Sequence, residues 1–393
     1  MSGPLADLKI LDFTTLLPGP YATQLLADMG ASVLRVETPL RPDSVDAMSP
    51  KVGTQSAARA TLNRNKQSLA LNLKTQKAQD IICRLIADYD VLIEQFRPGV
   101  MQRLGLDYNA LSAINPRLIY CSISGYGQTG PLKGRAGHDI NYLALSGLAS
   151  FSGRKDTGPV LSGTQIADIA GGSHHAVMGI LAAVNQRHIT GKGQSIDISM
   201  SDAALALTTL FGANYLAGGD PPSLATELLN GGIFYGYYRT CDERYLAIGS
   251  LEPQFTQELF TGLGKPEWVT RAQETDPQLQ AQLIADIATI IADKPLVHWK
   301  ACFAEKDACV EPVLTLDEVQ EHEHFRARKM FVQVPCSDGL FVTQIGSPLK
   351  FSGSVQDCPH ISSTIGENTA SVLLKYGFSE EEIEVLLRES SIY

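Results

Sequence analysis

Short apolar runs alternate with amphipathic segments along the first half of the chain. Such runs, separated by helical periodicity, are typical of buried parallel strands joined by helices. The pattern predicts strands at residues 8–13, 32–37, 68–73, 91–93, 118–123 and 195–200. It predicts helices at residues 21–29, 76–87 and 167–187. This order of elements predicts an α/β fold with a doubly wound parallel sheet.

A segment without regular structure, residues 218–223, divides the chain because it is rich in glycine and proline. Beyond it, short strand patterns and helices at residues 253–262, 276–293 and 296–303 predict a smaller α+β domain. Ser379 and Glu382 form a capping box that predicts a terminal helix. We expect a large domain at 1–217, a linker at 218–227, a small domain at 228–314, a return linker at 315–350 and a segment at 351–393 that completes the large domain.

The composition is that of a globular enzyme, with 393 residues, 44% hydrophobic and 19% charged. The formal net charge of −10 argues against nucleic acid or a membrane surface as a partner. The 7 cysteines contain no CxxC pair, which argues against a disulfide framework and a structural zinc site. No apolar stretch is long enough to span a bilayer, and no signal peptide is recognised. We therefore expect a cytoplasmic location with reduced thiols.

Residues 59–104 are locally basic, with eight basic and four acidic side chains in a chain that is acidic as a whole. A solvated charged face is the simpler interpretation, and composition alone favours it. The alternative is a site for a phosphorylated ligand such as a nucleotide or coenzyme A.

Residues 125–130 follow a predicted strand and have the spacing GxGxxG. Pro131 stands where a nucleotide-binding helix would begin, so a dinucleotide site is not predicted. A glycine loop at the carboxyl end of a parallel strand still borders the usual place for an active site.

Three polar residues stand at predicted helix starts. His138 and Asp139 follow the glycine loop, and Asp168 precedes Gly171 and Gly172. A helix N-terminus stabilises a carboxylate and offers N–H groups to an anion, although an ordinary N-terminal residue is the simpler interpretation of Asp168. The other histidine pairs lack metal-ligand spacing, and no metal site is predicted.

Several motifs, in order along nearly the whole chain, resemble the family III CoA-transferases, the CaiB/BaiF group. The opening segment 13–37 contains Pro18-Gly19-Pro20, and further motifs lie at residues 63–68, 71–74, 96–99, 103–105 and 190–194. The resemblance implies an acyl-CoA substrate and a homodimer whose two chains interlock.

Two chemistries occur in this family: CoA transfer between carboxylic acids through an aspartate, and racemisation at the α-carbon of 2-methylacyl-CoA thioesters. Five segments resemble the α-methylacyl-CoA racemases, at residues 136–147, 167–173, 231–235, 238–240 and 252–255. One departure is Thr38, where some racemases carry an arginine; Arg41 lies three residues later. This departure leaves room for a transferase.

The resemblance assigns His138 and Asp168 to opposite faces of the substrate α-carbon as acid/base groups. Glu252 is implied as the partner of His138, facing it from the other subunit of the dimer. The residues implied in CoA binding are Arg64, Lys66, Leu73, Lys74, Phe96, Arg97, Arg103, Tyr126 and Asp139. Backbone N–H groups at the start of the Asp168 helix are expected to stabilise the enolate oxygen. No metal and no cofactor beyond CoA itself, as part of the substrate, are expected.

The alternative mechanism makes Asp168 a nucleophile that forms an aspartyl-CoA thioester, with His138 only hydrogen-bonding nearby. Asp168 serves both mechanisms, whereas His138 together with Glu252 favours epimerisation. A non-catalytic CoA-binding module is a third hypothesis, and the presence of all three side chains argues against it.

Overall fold

The computed structural model describes residues 3–336, 339–354 and 360–393. Within it the chain forms two compact units. The first comprises Met1–Ser146, Gly163–Leu207 and His324–Tyr393, and the second comprises Gly147–Ser162 and Thr208–Glu323.

The first unit is built on a six-stranded sheet that is parallel throughout, which confirms the predicted doubly wound α/β fold. Its strands are β1 (Lys9–Phe13), β2 (Ser32–Glu37), β3 (Lys66–Ala70), β4 (Val91–Glu94), β5 (Ile119–Ser124) and β6 (Ser195–Ser199). Their spatial order is β6-β5-β4-β1-β2-β3. The order therefore reverses at β1, which pairs with β2 on one side and with β4 on the other.

Helices connect these strands and also occur in the second unit and in the C-terminal segment. They are α1 (Pro18–Asp28), α2 (Ala57–Leu62), α3 (Gln76–Leu85), α4 (Val100–Arg103), α5 (Tyr108–Ile114), α6 (Asp139–Leu145), a π-helix (Ala167–His174), α7 (His175–Thr190), α8 (Met200–Ala206), α9 (Thr209–Leu216), α10 (Pro253–Gly262), α11 (Val269–Ala272), α12 (Pro277–Ile291), α13 (Leu296–Phe303), α14 (Leu316–Glu321), α15 (Glu323–Ala327), α16 (Thr369–Lys375) and α17 (Glu380–Arg388). The capping box of Ser379 and Glu382 opens α17 as predicted.

Two apolar cores cover the two faces of the sheet, because successive side chains of a strand point to opposite faces. Leu11 packs with α3, α16 and α17 in one core. Its neighbour Ile10 packs with α1 and α7 in the other. Burial on both faces explains why the sequence shows continuous apolar runs rather than strict alternation.

The second unit has its own core around a three-stranded antiparallel sheet. The strands are β7 (Gly236–Arg239), β8 (Tyr245–Ile248) and β9 (Val310–Pro312). Phe260, Ile287 and Trp299 from the surrounding helices are buried against this sheet. The arrangement is the α+β type that the second half of the sequence predicts.

The C-terminal segment returns to the first unit and covers the outer edge of its sheet. It begins with a hairpin of β10 (Phe331–Pro335) and β11 (Phe341–Ile345). Farther on, the Asn368 side chain accepts a hydrogen bond from Ser68 N at 2.9 Å, and Thr369 Oγ1 accepts one from Ala70 N at 3.0 Å. Because β3 is the last strand of the sheet, these bonds satisfy backbone groups that would otherwise be exposed.

The boundaries of the units differ from the predicted domains. The second unit begins at Thr208 rather than 228, and it includes Gly147–Ser162. The rings of Phe151 and Phe211 explain this, because they meet edge to face at 6.0 Å within this unit. The return to the first unit falls at His324, and residues 315–350 contain two helices and a hairpin rather than a linker.

Within the described ranges, no helix is both long and apolar enough to cross a membrane. The same residues contain no group of three or more His, Cys, Asp or Glu side chains arranged to hold a metal ion. The six described cysteines are free thiols, and Cys358 lies outside the described residues.

Candidate active site

The point where the strand order reverses is the usual ligand site of a doubly wound sheet. Here it lies between the carboxyl ends of β1 and β4. The loop after β1 leads into α1, and Gly19 N in the first turn of α1 donates to Gln95 Oε1, just past β4, at 3.0 Å. A side chain at Gly19 would collide with Thr14, so the close packing within the β1–α1 connection requires glycine at this position.

Several predicted CoA-binding residues lie at this edge of the sheet. Phe96 is half-buried directly after β4, Arg97 beside it is exposed, and Arg103 is exposed on α4. Beyond the end of β3, Leu73 is half-buried against the core and Lys74 is exposed. Among the described residues neither arginine forms an ion pair, so both guanidinium groups are accessible to a phosphate.

Arg64 and Lys66 require a correction, because the structure buries both side chains to 1% exposure. Arg64 forms a two-pronged ion pair with Asp28 and also donates to the backbone carbonyl of Ile345 at 2.8 Å. Lys66 Nζ lies 3.3 Å from Asp12 Oδ2, in a network with Thr23 and Asn63. Burial lowers the pKa of Lys66 to about 8, with Asp12 opposing this effect. Both cations stabilise the interior of the first unit and are removed from the predicted CoA contacts.

The structure brings His138, Asp139 and Asp168 together. His138 is exposed immediately before α6, Asp139 opens that helix, and Asp168 lies in the first turn of the π-helix. Asp139 Oδ1 accepts hydrogen bonds from the N–H groups of Ala167 and Asp168 at 2.6 and 3.1 Å. The Asp139 carboxylate therefore fixes the start of the helix that carries Asp168, a role that the sequence did not reveal.

Tyrosine packing holds the turn that presents His138. Tyr142 donates its hydroxyl to the backbone carbonyl of Gly137 at 2.6 Å, and half-buried Tyr126 meets the Tyr142 ring edge to face at 5.2 Å. A side chain at Gly137 would lie 2.7 Å from the Tyr142 ring. Asn141 completes the turn by accepting from His138 N at 3.0 Å. Tyr126, predicted to contact CoA, thus has a structural contact as well.

The surroundings of Asp168 suit proton transfer near neutral pH. Burial raises the pKa of the Asp168 carboxyl to about 6, and the negative charge of Asp139 adds to that rise. The positive charge of His138 lowers the pKa of Asp168 in part. A carboxyl in this range exchanges protons readily at physiological pH.

The predicted continuous helix at 167–187 is in fact a π-helix, Ala167–His174, followed by α7. Gly171 and Gly172 pack closely against Met200 of α8, and Ser173 donates to the backbone carbonyl of Pro18 at 2.6 Å. π-Helical turns frequently mark functional sites. The Ser173 bond connects the helix that carries Asp168 to the start of α1 at the strand-order reversal.

The predicted enolate-stabilising donors also need correction. The N–H groups of Ala167 and Asp168 donate to Asp139, so they are already satisfied. The first turn of α6 is different. Among the described residues, the N–H groups of Asp139 and Ile140 have no hydrogen-bond acceptor.

Sequence analysis missed Glu94, a buried carboxyl at the strand-order reversal. It ends β4 and is 4% exposed, and its Oε2 accepts from Phe96 N at 2.8 Å. Burial raises the pKa of Glu94 to about 7, against the hydrogen bonds from Ser122 and Phe96. In the sequence, only the position of this acidic residue at the end of an apolar strand indicated a buried carboxyl.

Glu252 lies in the second unit, exposed, at the residue before α10. Its side chain does not cap the helix, and its backbone carbonyl accepts from Thr256 Oγ1 at 3.0 Å. The carboxylate is therefore available for another partner, and its pairing with His138 stays a prediction. Arg41, like Glu252, is exposed.

Alanine at Arg97 or Arg103 is expected to raise the Kd for CoA by about tenfold, because each change removes a charge-assisted hydrogen bond to phosphate. Isothermal titration with CoA measures this. Arg84→Ala is the matched control, because Arg84 lies over the Phe378 ring, 4.4 Å from its centroid. Unchanged affinity in both test variants, or an equal loss in the control, would contradict the assignment.

Asp168→Asn is expected to stabilise the folded protein at pH 7.5. The raised pKa means that the folded state binds more protons than the unfolded state from about pH 4 to 6. Stability is therefore lost as the pH rises through this window, whereas asparagine stays neutral. We expect the free energy of unfolding at pH 7.5 to rise by about 1 kcal/mol, a value that allows for the partial exposure of Asp168. The increase should be smaller at pH 5. Urea unfolding at both pH values measures it; a less stable variant at pH 7.5 would contradict the pKa.

The chain belongs to CoA-transferase family III, which it matches over residues 5–369. It is 37% identical to human alpha-methylacyl-CoA racemase over 383 residues, covering 96% of this chain and 95% of that protein. It is 34% identical to acetyl-CoA:oxalate CoA-transferase of Acetobacter aceti over 363 residues, covering 91% of each. The crystal structure of a CAIB/BAIF family protein from Brucella suis matches with a TM-score of 0.84 at 30% identity, covering 96% of this chain and 100% of that one.

Proposed function

We propose that the protein epimerises 2-methylacyl-CoA thioesters by removing the α-proton on one face and returning a proton on the other. The proposal rests on one observation above the others: two proton-transfer groups of different type, Asp168 and His138, lie together around Asp139. The similarity to the human racemase over almost the whole chain supports the same reaction.

In one direction the Asp168 carboxylate takes the α-proton, and the electron pair of the C–H bond moves onto the thioester oxygen. The protonated imidazole of His138 then donates to the opposite face, and the thioester carbonyl re-forms. In the other direction neutral His138 takes the proton and protonated Asp168 returns one. The near-neutral pKa of Asp168 lets it serve in both protonation states.

The enolate oxygen needs hydrogen-bond donors while it carries charge. We assign this role to the N–H groups of Asp139 and Ile140 in the first turn of α6, because no described residue accepts from them. Both donors directly follow His138 in the sequence.

Arg97, Arg103 and Lys74 are proposed to hold the phosphates of CoA, with Phe96 against the adenine or the pantetheine arm. These side chains lie at the carboxyl edge of the sheet, where doubly wound folds bind nucleotides. Roles for Glu252 and for a homodimer stay predictions; sedimentation of the purified chain tests the dimer.

CoA transfer between carboxylic acids is the second candidate. It is supported by the similarity to the Acetobacter oxalate transferase and by the same aspartate. In that reaction Asp168 attacks the acyl-CoA carbonyl to give a mixed anhydride and free CoA thiolate. The thiolate then attacks the aspartyl carbonyl, releases the carboxylic acid, and leaves CoA bound to Asp168 as a thioester.

One experiment separates the two. Each pure epimer of 2-methylbutanoyl-CoA is incubated with the protein in D₂O, with and without oxalate, and deuterium uptake, inversion and oxalyl-CoA are followed. We expect deuterium uptake with inversion from both epimers and no CoA thioester on the protein by intact mass spectrometry. Transfer to oxalate without exchange, with CoA bound to Asp168, would overturn the proposal.

A further inference from the structure

The side chains of Ser173 and His175 bond to the π-helix that carries Asp168, although neither takes part in the proposed chemistry. The π-helical conformation extends over 8 residues, Ala167–His174. π-Helices are rare and mostly occur as single turns inside α-helices. A stretch of this length therefore needs stabilising contacts beyond the backbone bonds of the helix itself.

Ser173 holds Asp168 by its backbone carbonyl. The Ser173 side chain is completely buried, and its Oγ lies 2.6 Å from the carbonyl oxygen of Pro18 and 3.2 Å from that of Asp168. Because carbonyl oxygens only accept, the hydroxyl shares its one hydrogen between them in a three-centre bond. Asp139 accepts from the Asp168 N–H, so the backbone of Asp168 is held on both sides of its Cα.

His175 closes the other end of the same helix. It is the half-buried first residue of α7, and its Nδ1 lies 2.7 Å from the carbonyl oxygen of Ala170. A carbonyl cannot donate, so Nδ1 carries the hydrogen. The backbone N–H of His175 bonds to Gly172 instead. The imidazole thus binds the carbonyl five positions back, the one that its own N–H would bind if the π-helix continued.

The register of this helix decides where the Asp168 carboxyl lies. A π-helix has more residues per turn than an α-helix, so conversion to an α-helix would rotate Asp168 relative to α7. In its observed place the carboxyl is half-buried, and burial and the charge of Asp139 raise its pKa, while the charge of His138 lowers it in part. A carboxyl turned towards solvent would lose the effects of burial and of Asp139.

We propose that Ser173 and His175 are positioning residues, whose hydrogen bonds to carbonyls five positions earlier hold the π-helical register that places the Asp168 carboxyl for proton transfer. This inference rests on the proposed function, because it takes Asp168 to be an acid/base group. It extends the site to two side chains that act through Asp168.

The test compares leucine with asparagine at position 175, because the two side chains have nearly the same shape. Asparagine places an amide N–H where His175 has Nδ1–H, whereas leucine has no donor. Leucine is the better helix former, so a merely structural role would favour His175→Leu over His175→Asn. The same two substitutions at His188, which is exposed on α7, are the controls.

Two measurements follow each variant. One is kcat and KM for deuterium uptake by each epimer of 2-methylbutanoyl-CoA. The other is a carbon-13 NMR titration of protein labelled at the aspartate carboxyls, in which Asp168→Asn identifies the Asp168 signal.

His175→Leu is expected to lower kcat by about 10–10²-fold for the epimer whose α-hydrogen faces Asp168, with KM changed by less than about twofold, because the base is misplaced while CoA still binds. The pKa of Asp168 should fall by about 1 in the same variant, because the carboxyl loses part of its burial. His175→Asn should restore kcat to within about threefold of the wild type and restore the pKa.

Equal behaviour of the leucine and asparagine variants in both measurements, whether impaired or normal, would overturn the proposal, as would equal losses in the His188 controls. If the wild type exchanges neither epimer, the proposed function fails. The NMR titration needs no substrate, so it still decides whether the His175 donor holds the Asp168 carboxyl in place.

Ser173→Ala is the second variant, because it removes a single oxygen atom and tests the helix even if His175→Leu does not fold. It should lower kcat by about tenfold and lower the pKa of Asp168. Unchanged values of both would overturn the role of Ser173. Combined with His175→Leu it should lose much less than the product of the two single losses, since both changes release the same helix. Fully multiplied losses would contradict a shared register.

Discussion

Asp168→Asn is expected to lower inversion of both epimers by at least about 10³-fold, because the variant keeps the shape of the side chain and loses its ability to carry a proton. The epimer whose α-hydrogen faces Asp168 loses its base and should also stop taking up deuterium. The opposite epimer keeps His138 as its base and should still exchange with retention, because it loses only the group that completes inversion. Deuterium uptake by each pure epimer, measured by mass spectrometry, and chiral analysis of the recovered thioester give the two rates.

Asp202→Asn is the matched control, because Asp202 is an exposed carboxylate in the first turn of α8. It should keep normal rates. The same pair also tests the transferase alternative, since asparagine cannot form the anhydride. Near-normal turnover by Asp168→Asn would exclude Asp168 from both mechanisms.

His138→Ala should separate exchange from inversion. The loss of one acid/base group is expected to lower inversion by about 10²–10⁴-fold. The epimer whose α-hydrogen faces Asp168 should still take up deuterium, with retention, because the carboxylate removes and returns the proton on its own face. The opposite epimer should exchange far more slowly. Glu252→Ala should show a partial loss of inversion if it positions the imidazole.

The comparison uses both epimers in D₂O, with chiral analysis of the recovered thioester. His188→Ala is the control, because His188 is exposed near the end of α7. Unimpaired inversion of both epimers in His138→Ala would refute the two-base assignment. Full exchange of both epimers without inversion would show that a base other than His138 serves the face opposite Asp168.

The pH dependence of the wild type follows from the same assignment. With the pKa of Asp168 at about 6, kcat/KM for the epimer that needs the carboxylate should fall as the pH drops below 6. The opposite epimer needs protonated Asp168 to complete inversion. Its kcat/KM should therefore fall as the pH rises above about 6 and Asp168 loses its proton.

The sequence predicted the sheet well because buried parallel strands have a strong apolar pattern. The predicted strand at 118–123 and the observed β5 differ by one residue at each end. The predicted strand at 68–73 is shifted, since β3 begins at Lys66, a residue that composition counts as a surface charge. Lys66 is inside because Asp12, 54 positions earlier, compensates its charge. No local pattern reports a pairing between such distant residues.

The sequence predicted which residues form the candidate site, but it did not predict the contacts that connect them. His138 and Asp168 came from motifs, but only three-dimensional contacts connect them through Asp139, which is 28 positions from Ala167. The π-helix was also not predicted, because hydrophobic periodicity over eight residues does not distinguish it from an ordinary α-helix. Ionic partners, helix geometry and free backbone donors all depend on tertiary structure. Arg64 was predicted to be at the surface because its ionic partner Asp28 is 36 positions away in the chain.

The bonds that close the β3 edge bear on how the protein is made. Ser68 N bonds to a side chain 300 positions later in the chain, so a ribosome that adds roughly 5–20 residues per second makes the two partners about 15–60 s apart. The second unit, which ends at Glu323, is complete before those partners emerge. During synthesis the first unit therefore has an unpaired strand edge until its last segment emerges, and chaperones shield such edges while other nascent chains can pair with them. Expression yield should accordingly depend more on the last residues than on any other exposed segment.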